Sequence, residues 1–408
     1  MSEDQRTAHH SSFITHHRRL WTPLFALACL SNFTTWVAGY MLLGTLTLNA
    51  VALGAPEGQV GLYPACSSIF ALIMQLVGGR LLVRAPRTLL MRLGPLLMIA
   101  ATLLALAALS APVLFAVVIL FASGYSIAQS AAMVLVTETA PPARRGQAVG
   151  LYGTFTTLGV LIGPASGVAL LQQLGGRSVF AVMLLMAVAA LVSALLIREP
   201  PRRQTRAGEG SLRLHPRAYA AAGAMFGMTA TWGTVLAFLP LYALGLGLGN
   251  PGLYFTVQAL GVLSLRMVAG SLSDRFGRVQ VLVPAMTLVA LGVAGLALHP
   301  SLPLLMLLAL LYGVGYSAIH PTTIAVADDV STNATRGMAL GLVGGMFSIG
   351  VGTGAATMGY VLQRTSYETM FLVASSIPVV ATVLFVWSWR TFPKPSALSH
   401  QLAARPFR

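Results

Sequence analysis

The chain has 408 residues, of which 9% are charged and 56% apolar, and it carries a net charge of +15. A soluble domain has roughly 25% charged residues, so this composition excludes an ordinary soluble protein and points to a membrane class. The excess of positive charge would suggest a nucleic-acid partner in a soluble chain, but its distribution here points elsewhere.

In chain order, the first twenty residues are polar and include His9-His10 and His16-His17. They lack the apolar core and small-residue cleavage site of a secretory signal and read as a tail, not a metal site. The body that follows is nearly free of charge. Leu93 to Thr137, Ala218 to Leu265 and Val279 to Ala327 contain no charged side chain, and each is long enough for two spans of about 20 residues. Ser110-Ala111-Pro112, Gly247 to Gly252 and His299-Pro300-Ser301-Leu302-Pro303 divide them. Reading every run this way predicts twelve helices, near 21–46, 59–82, 89–109, 112–138, 146–172, 178–197, 218–246, 252–273, 279–298, 303–328, 337–363 and 367–390. Only helices or closed barrels span lipid, and the alternation of barrel strands is absent, so the fold class is an all-α membrane protein. The domains are a 1–20 tail, a 21–197 six-helix bundle, a 198–217 linker, a 218–390 six-helix bundle and a 391–408 tail.

Of the 25 Lys and Arg, Arg177 and Arg364 fall in one set of loops and Arg266 inside a span; the rest fall in the opposite loops and the termini. The positive-inside rule then places both termini and the linker in the cytoplasm, which leaves no role for nucleic acid. Cys29 and Cys66 lie in apolar helices and read as packing residues.

The two halves repeat at an offset of 191 residues. Gly61-Leu62-Tyr63 matches Gly252-Leu253-Tyr254, and Gly124-Tyr125-Ser126 matches Gly315-Tyr316-Ser317. Gly79, Arg84, Arg87 and Arg145-Gly146 likewise match Gly270, Arg275, Arg278 and Arg336-Gly337. Such an ungapped match implies a duplicated six-helix unit.

Between the eighth and ninth spans, Gly270 to Arg278 reads G-S-L-S-D-R-F-G-R. It resembles the loop signature G-x-L-x-D-R-x-G-R of the major facilitator superfamily of secondary transporters, and the resemblance extends over nearly the whole chain. It implies the major facilitator fold, with two pseudo-symmetric six-helix bundles and a gating loop made by Gly270, Asp274, Arg275, Gly277 and Arg278. In that family the loop latches the halves together, so Asp274 is expected to engage the start of helix 5 near Arg144, Arg145 and Gly146. In the first half, Val83 and Pro86 replace the Asp and Gly, which implies a weaker second latch. Gly159, Gly163, Pro164 and Gly167 resemble the helix 5 motif G-x-x-x-G-P-x-x-G-G of antiporting exporters, with Val168 at its last position. Their bland alternative is close helix packing. Relatives commonly have prolines at the positions of Gly44 and Thr47, so helix 1 should end straighter here.

Ionisable groups inside spans are costly and often functional. All ten acids lie in tails, loops or helix ends, and Leu120 stands where many antiporters have Arg. His320 lies mid-span before Pro321; it could bond the carbonyl that Pro321 frees, or it could bind substrate and titrate near neutral pH. Coupling candidates are His320, Arg266, Glu138, Asp328 and Asp329, with a structural pair between Arg266 and one of the last two favoured. Substrate-binding candidates are Asn32, Trp36, Tyr40, Gln75, Gln129, Trp232, Tyr316 and His320, because helices 1, 4, 7 and 10 line the cavity in the family. No phosphate loop, catalytic carboxylate pair, cofactor site or metal site is evident.

These features predict a monomeric, non-enzymatic inner-membrane transporter that exports a small neutral, zwitterionic or anionic organic molecule by alternating access. Proton antiport is the favoured mode. The alternatives are an uptake symporter or facilitator, and a non-transporting sensor or scaffold.

Overall fold

The computed structural model describes residues 21–107, 110–141, 144–198, 214–266, 269–332 and 335–392. The expected tails at 1–20 and 393–408, and the linker between 199 and 213, lie outside them. The first bundle contains α1 (Pro23–Ala52), α2 (Leu62–Arg84), α3 (Arg87–Ala107), α4 (Ala111–Thr139), α5 (Arg145–Leu174) and α6 (Gly176–Leu196). The second contains α7 (Pro216–Gly245), α8 (Gly252–Arg266, continued by Ala269–Phe276), α9 (Arg278–Ala294), α10 (Leu302–Asp329), α11 (Arg336–Leu362) and α12 (Tyr367–Thr391). All but α8 are long and apolar enough to cross a bilayer as described.

Helix starts follow local chemistry. Thr22 caps α1 by accepting from the Phe25 N–H at 3.2 Å, with Pro23 at the first turn, and Ser366 caps α12 by accepting from the Thr369 N–H. Helix α1 runs on to Ala52, beyond the expected end near 46. No proline interrupts it at Gly44 or Thr47, and its buried polar side chains bond back into the helix, Thr45 Oγ1 to the Met41 carbonyl and Asn49 Nδ2 to the Thr45 carbonyl. Between α8 and α9 the chain turns at Gly277, whose φ is +96°. Pro86, at the equivalent first-half position, is held near −65°, so the two loops cannot share one conformation.

The bundles pack by the same scheme. In the first, α1 lies against α5 and α6, and α4 against α2 and α3; in the second, α7 lies against α11 and α12, and α10 against α8 and α9. Between bundles, α2 meets α11 and α5 meets α8. These two cross-bundle contacts, beside that of α1 with α7, are close because they begin at a glycine: a Cβ on Gly61 would collide with the Ala355 carbonyl, and a Cβ on Gly252 with the Ala165 backbone. Gly61 and Gly252 are repeat partners, so the duplication seen in sequence also builds the interface.

These contacts seal the end of the molecule remote from the arginine-rich loops. There Thr256 Oγ1 donates to the Leu161 carbonyl at 2.8 Å, Asn250 Nδ2 to the Ala165 carbonyl at 3.2 Å, and Tyr367 to Glu57 Oε2 at 2.7 Å. Towards the arginine-rich end, Gly150 on α5 and Gly341 and Gly344 on α11 face open space. Among the described residues the halves are therefore joined at one end and parted at the other.

Candidate functional site

A cavity of about 70 Å³ lies between the bundles. Helix α1 contributes Trp36, Gly39, Tyr40 and Leu43, and α2 contributes Pro64, Ser67 and Ser68. Phe121 and Tyr125 of α4, Trp232 and Leu236 of α7, and Phe347, Ser348 and Val351 of α11 complete the wall. None of its lining residues is charged.

The aromatic side chains form one connected set. Trp36 stacks on Tyr40 with centroids 5.5 Å apart and meets Tyr125 edge-on at 5.4 Å. Tyr40 faces Trp232 across the halves at 6.4 Å, and Trp232 meets Tyr316 at 6.0 Å and Tyr312 at 6.2 Å. Tyr312 is fixed in turn by Thr231, the two hydroxyls lying 3.0 Å apart.

Glycines of α5 set the position of this wall. A Cβ on Gly159 would lie 2.6 Å from the Trp36 Cβ, and one on Gly163 would lie 2.7 Å from the Tyr40 Cβ. Gly167 abuts Met41, and Gly44 abuts Pro164. The Gly-x-x-x-Gly-Pro-x-x-Gly segment thus presents its glycines and the Pro164 ring side to α1, while Ala165 and the Pro164 carbonyl face α8 of the other bundle. Gly350 and Gly354 repeat the arrangement against Thr229 and Ala230 of α7. Gly163→Val should lower the thermal-unfolding midpoint, by overpacking worth about 1–3 kcal/mol. Gly150→Val, at a position facing open space, should change it little. Equal midpoints for the two variants would show that the α1–α5 contact is loose.

Of the eight substrate-binding residues expected from sequence, Trp36, Tyr40 and Trp232 line the cavity, and Tyr316 adjoins it through Trp232. Asn32 is turned into the first bundle, its Nδ2 donating to the Tyr152 carbonyl at 2.9 Å and to Thr156 Oγ1 at 3.0 Å. Gln129 accepts from the Tyr152 hydroxyl at 3.1 Å. Gln75 is half-buried on α2. His320 is exposed, one helical turn from Tyr316 on the same face of α10, with its ring 6.4 Å from that of the cavity residue Phe347. Sequence reasoning did not name Phe121, Tyr125, Phe347 or the serines. Tyr125 carried a signal, since it is the repeat partner of Tyr316.

The acids expected as coupling candidates sit at the arginine-rich helix ends, each paired with an arginine. Glu138 lies 2.6 Å from Arg87, Asp329 lies 3.1 Å from Arg278, and Asp328 lies 2.5 Å from Arg336. The first two pairs are related by the 191-residue offset. Arg278 also holds Asp274 at 2.6 Å. In this conformation Asp274 is therefore engaged within its own loop, and its side chain is 69% exposed. The expected contact with the start of helix 5 falls on Arg145 and Gly146, whose side chains and surroundings lie outside the described part. Arg275 lies over the Phe276 ring at 5.5 Å. The side chains of Arg266 and Arg145, and the surroundings of Gly146 and Gly270, lie outside the described part.

Comparison with known proteins agrees with this architecture. The staphylopine export protein of Staphylococcus aureus is 23% identical over 64% of this chain and 70% of its own length. The multi-drug resistance efflux pump PmrA of Streptococcus pneumoniae is 27% identical over 37% of this chain and 39% of its own length. The crystal structure of a D-xylose-proton symporter superposes with a TM-score of 0.74 at 17% identity, covering 91% of this chain and 98% of that one. The profile of the Major Facilitator Superfamily matches residues 28–265 and 251–407, which together take in both bundles. With two bundles repeating one packing scheme around a shared cavity, this chain is a membrane transporter belonging to the major facilitator superfamily.

Proposed function

We propose that this transporter exports a small neutral, zwitterionic or anionic organic molecule by alternating access, driven by proton antiport. The observation that carries the reading is the uncharged aromatic cavity, shared by both bundles and sealed at one end while the other stands parted. An organic cation entering it would lose hydration without meeting a carboxylate. The distribution of arginines favours a cytoplasmic location for the parted end and both termini, so the conformation is inward-facing in a plasma membrane and each monomer holds its own cavity. Export is supported by the glycine and proline segment of α5 and by likeness to the staphylopine exporter.

In this reading His320 binds the coupling proton, while Glu138, Asp328 and Asp329 hold helix ends through their arginines. Asp274 exchanges Arg278 for the start of α5 when that end closes.

Purified protein in sealed vesicles tests the proposal. A screen of small organic acids and neutral metabolites should find solutes that undergo counterflow and accumulate with a pH gradient, with ethidium transported poorly. Counterflow without any response to the gradient would make the protein a facilitator, and efficient ethidium transport would overturn the charge selectivity.

A further inference from the structure

Within the aromatic wall, one polar atom has no partner: the indole Nε1 of Trp36 is buried without a hydrogen bond, although its ring lines the cavity. A buried N–H left unpaired is unfavourable, and indole is a donor only. The group that completes it must therefore bring an acceptor. Neighbouring backbone cannot turn to supply one, because Gly159 of α5 packs directly against the Trp36 Cβ and fixes the helix there.

The cavity that the Trp36 ring lines has a particular shape. Trp36 and Tyr40 present stacked rings, Tyr125 stands edge-on to Trp36, and Trp232 closes the far side. Phe121 and Phe347 belong to the same wall. Flat rings gain offset-stacked and edge-to-face contacts with such walls, beyond the burial that any apolar group obtains. An aromatic wall also attracts cations, but a cation cannot accept the Trp36 hydrogen, and no lining carboxylate offsets its desolvation.

Resting on the transport reading above, we infer that the substrate is a planar aromatic molecule bearing an oxygen acceptor, a carboxylate or carbonyl, that accepts from Trp36 Nε1–H while its ring inserts among Trp36, Tyr40, Tyr125 and Trp232. Thr35, Tyr40, Tyr125, Ser67, Ser68 and Ser348 bring further hydroxyl groups to the same lining.

Three probes of one framework separate the contributions. Naphthoate has ring and acceptor, its fully hydrogenated counterpart has the acceptor alone, and trimethylnaphthylammonium has the ring alone. Titrated calorimetrically onto the full-length protein in nanodiscs, naphthoate should bind about tenfold more tightly than the hydrogenated acid. It should also exceed the ammonium probe by about tenfold or more. Trp36→Phe, which keeps a ring face and removes the N–H, should weaken naphthoate by about tenfold and the ammonium probe by clearly less. The probe comparison on the unaltered protein stands even where that variant folds poorly.

Equal affinity of the aromatic and hydrogenated acids, tightest binding by the ammonium probe, or no saturable binding of naphthoate would each overturn the inference. Counterflow distinguishes this failure from that of the transport reading. If naphthoate binds as expected but neither it nor any screened solute exchanges, the aromatic site stands and transport falls. If screened solutes exchange while naphthoate does not bind, transport stands and the aromatic assignment falls.

Discussion

Replacing Glu138 with Gln is expected to destabilise the protein far more than replacing Asp329 with Asn, although the two acids are repeat partners. Each holds the arginine that begins the third helix of its bundle, Arg87 or Arg278. Arg87 is buried, with 4% of its surface exposed, and its contact with Glu138 is short, at 2.6 and 2.7 Å to the two carboxylate oxygens. Arg278 has a second acid, Asp274. The first-half position equivalent to Asp274 is Val83, which offers no charge.

Breaking a buried pair by removing one partner costs about 3–5 kcal/mol. Glu138 is 26% exposed, which reduces the expected loss to about 2 kcal/mol. Asp329→Asn leaves Arg278 on Asp274 and should cost under about 1 kcal/mol. Thermal-unfolding midpoints in one detergent would show the contrast, and Arg87→Gln combined with Glu138→Gln should recover part of the loss. Equal midpoints for the two single variants would mean that Arg87 does not depend on its carboxylate.

Much of this arrangement was legible in the sequence. Spans could be read because lipid removes every alternative partner for backbone groups, so uninterrupted apolar runs become helices. The 191-residue offset was also more than a topological mark. It predicted that Arg87 and Arg278 are equivalent, and in the structure they pair with Glu138 and Asp329, which share the same offset.

The cavity was legible only in part. Trp36, Tyr40 and Trp232 stand out because they carry polar atoms in apolar helices. Phe121 and Phe347 could not be distinguished from lipid-facing residues, since an almost wholly apolar helix has no polar face to mark its orientation. Asn32 illustrates the opposite difficulty. A polar residue within a span needs a partner, but the sequence cannot say whether that partner is a ligand or, as here, the Tyr152 carbonyl and Thr156 of α5. Asp274 is a third case: it pairs with Arg278 within its own loop, and the side chains at the start of α5 that it is expected to meet lie outside the described part.

His320→Gln should abolish the response to a proton gradient while leaving counterflow largely intact, and His320→Ala should impair both. His320 is exposed on α10, on the face that carries Tyr316 and beside Phe347 of the cavity wall. A proton bound there can therefore leave through the parted end. The acids at that end are engaged by arginines, Glu138 by Arg87, Asp328 by Arg336 and Asp329 by Arg278. A histidine with a reference pKa of about 6.5 exchanges its proton near neutrality. Protonated His320 would add a positive charge beside the cavity and disfavour a cation there. In export by antiport the proton binds as substrate leaves at the outer face, and it is released to the cytoplasm as the next substrate binds. Gln keeps hydrogen-bonding capacity, as Gln129 does at the equivalent position where it accepts from Tyr152, but it cannot titrate in this range. The decisive measurement is gradient-driven accumulation divided by counterflow in the same vesicles, with the ratio falling to that of no gradient in the Gln variant. A Gln variant that retains the full ratio would remove His320 from coupling and make its exposure on α10 a matter of cavity solvation alone.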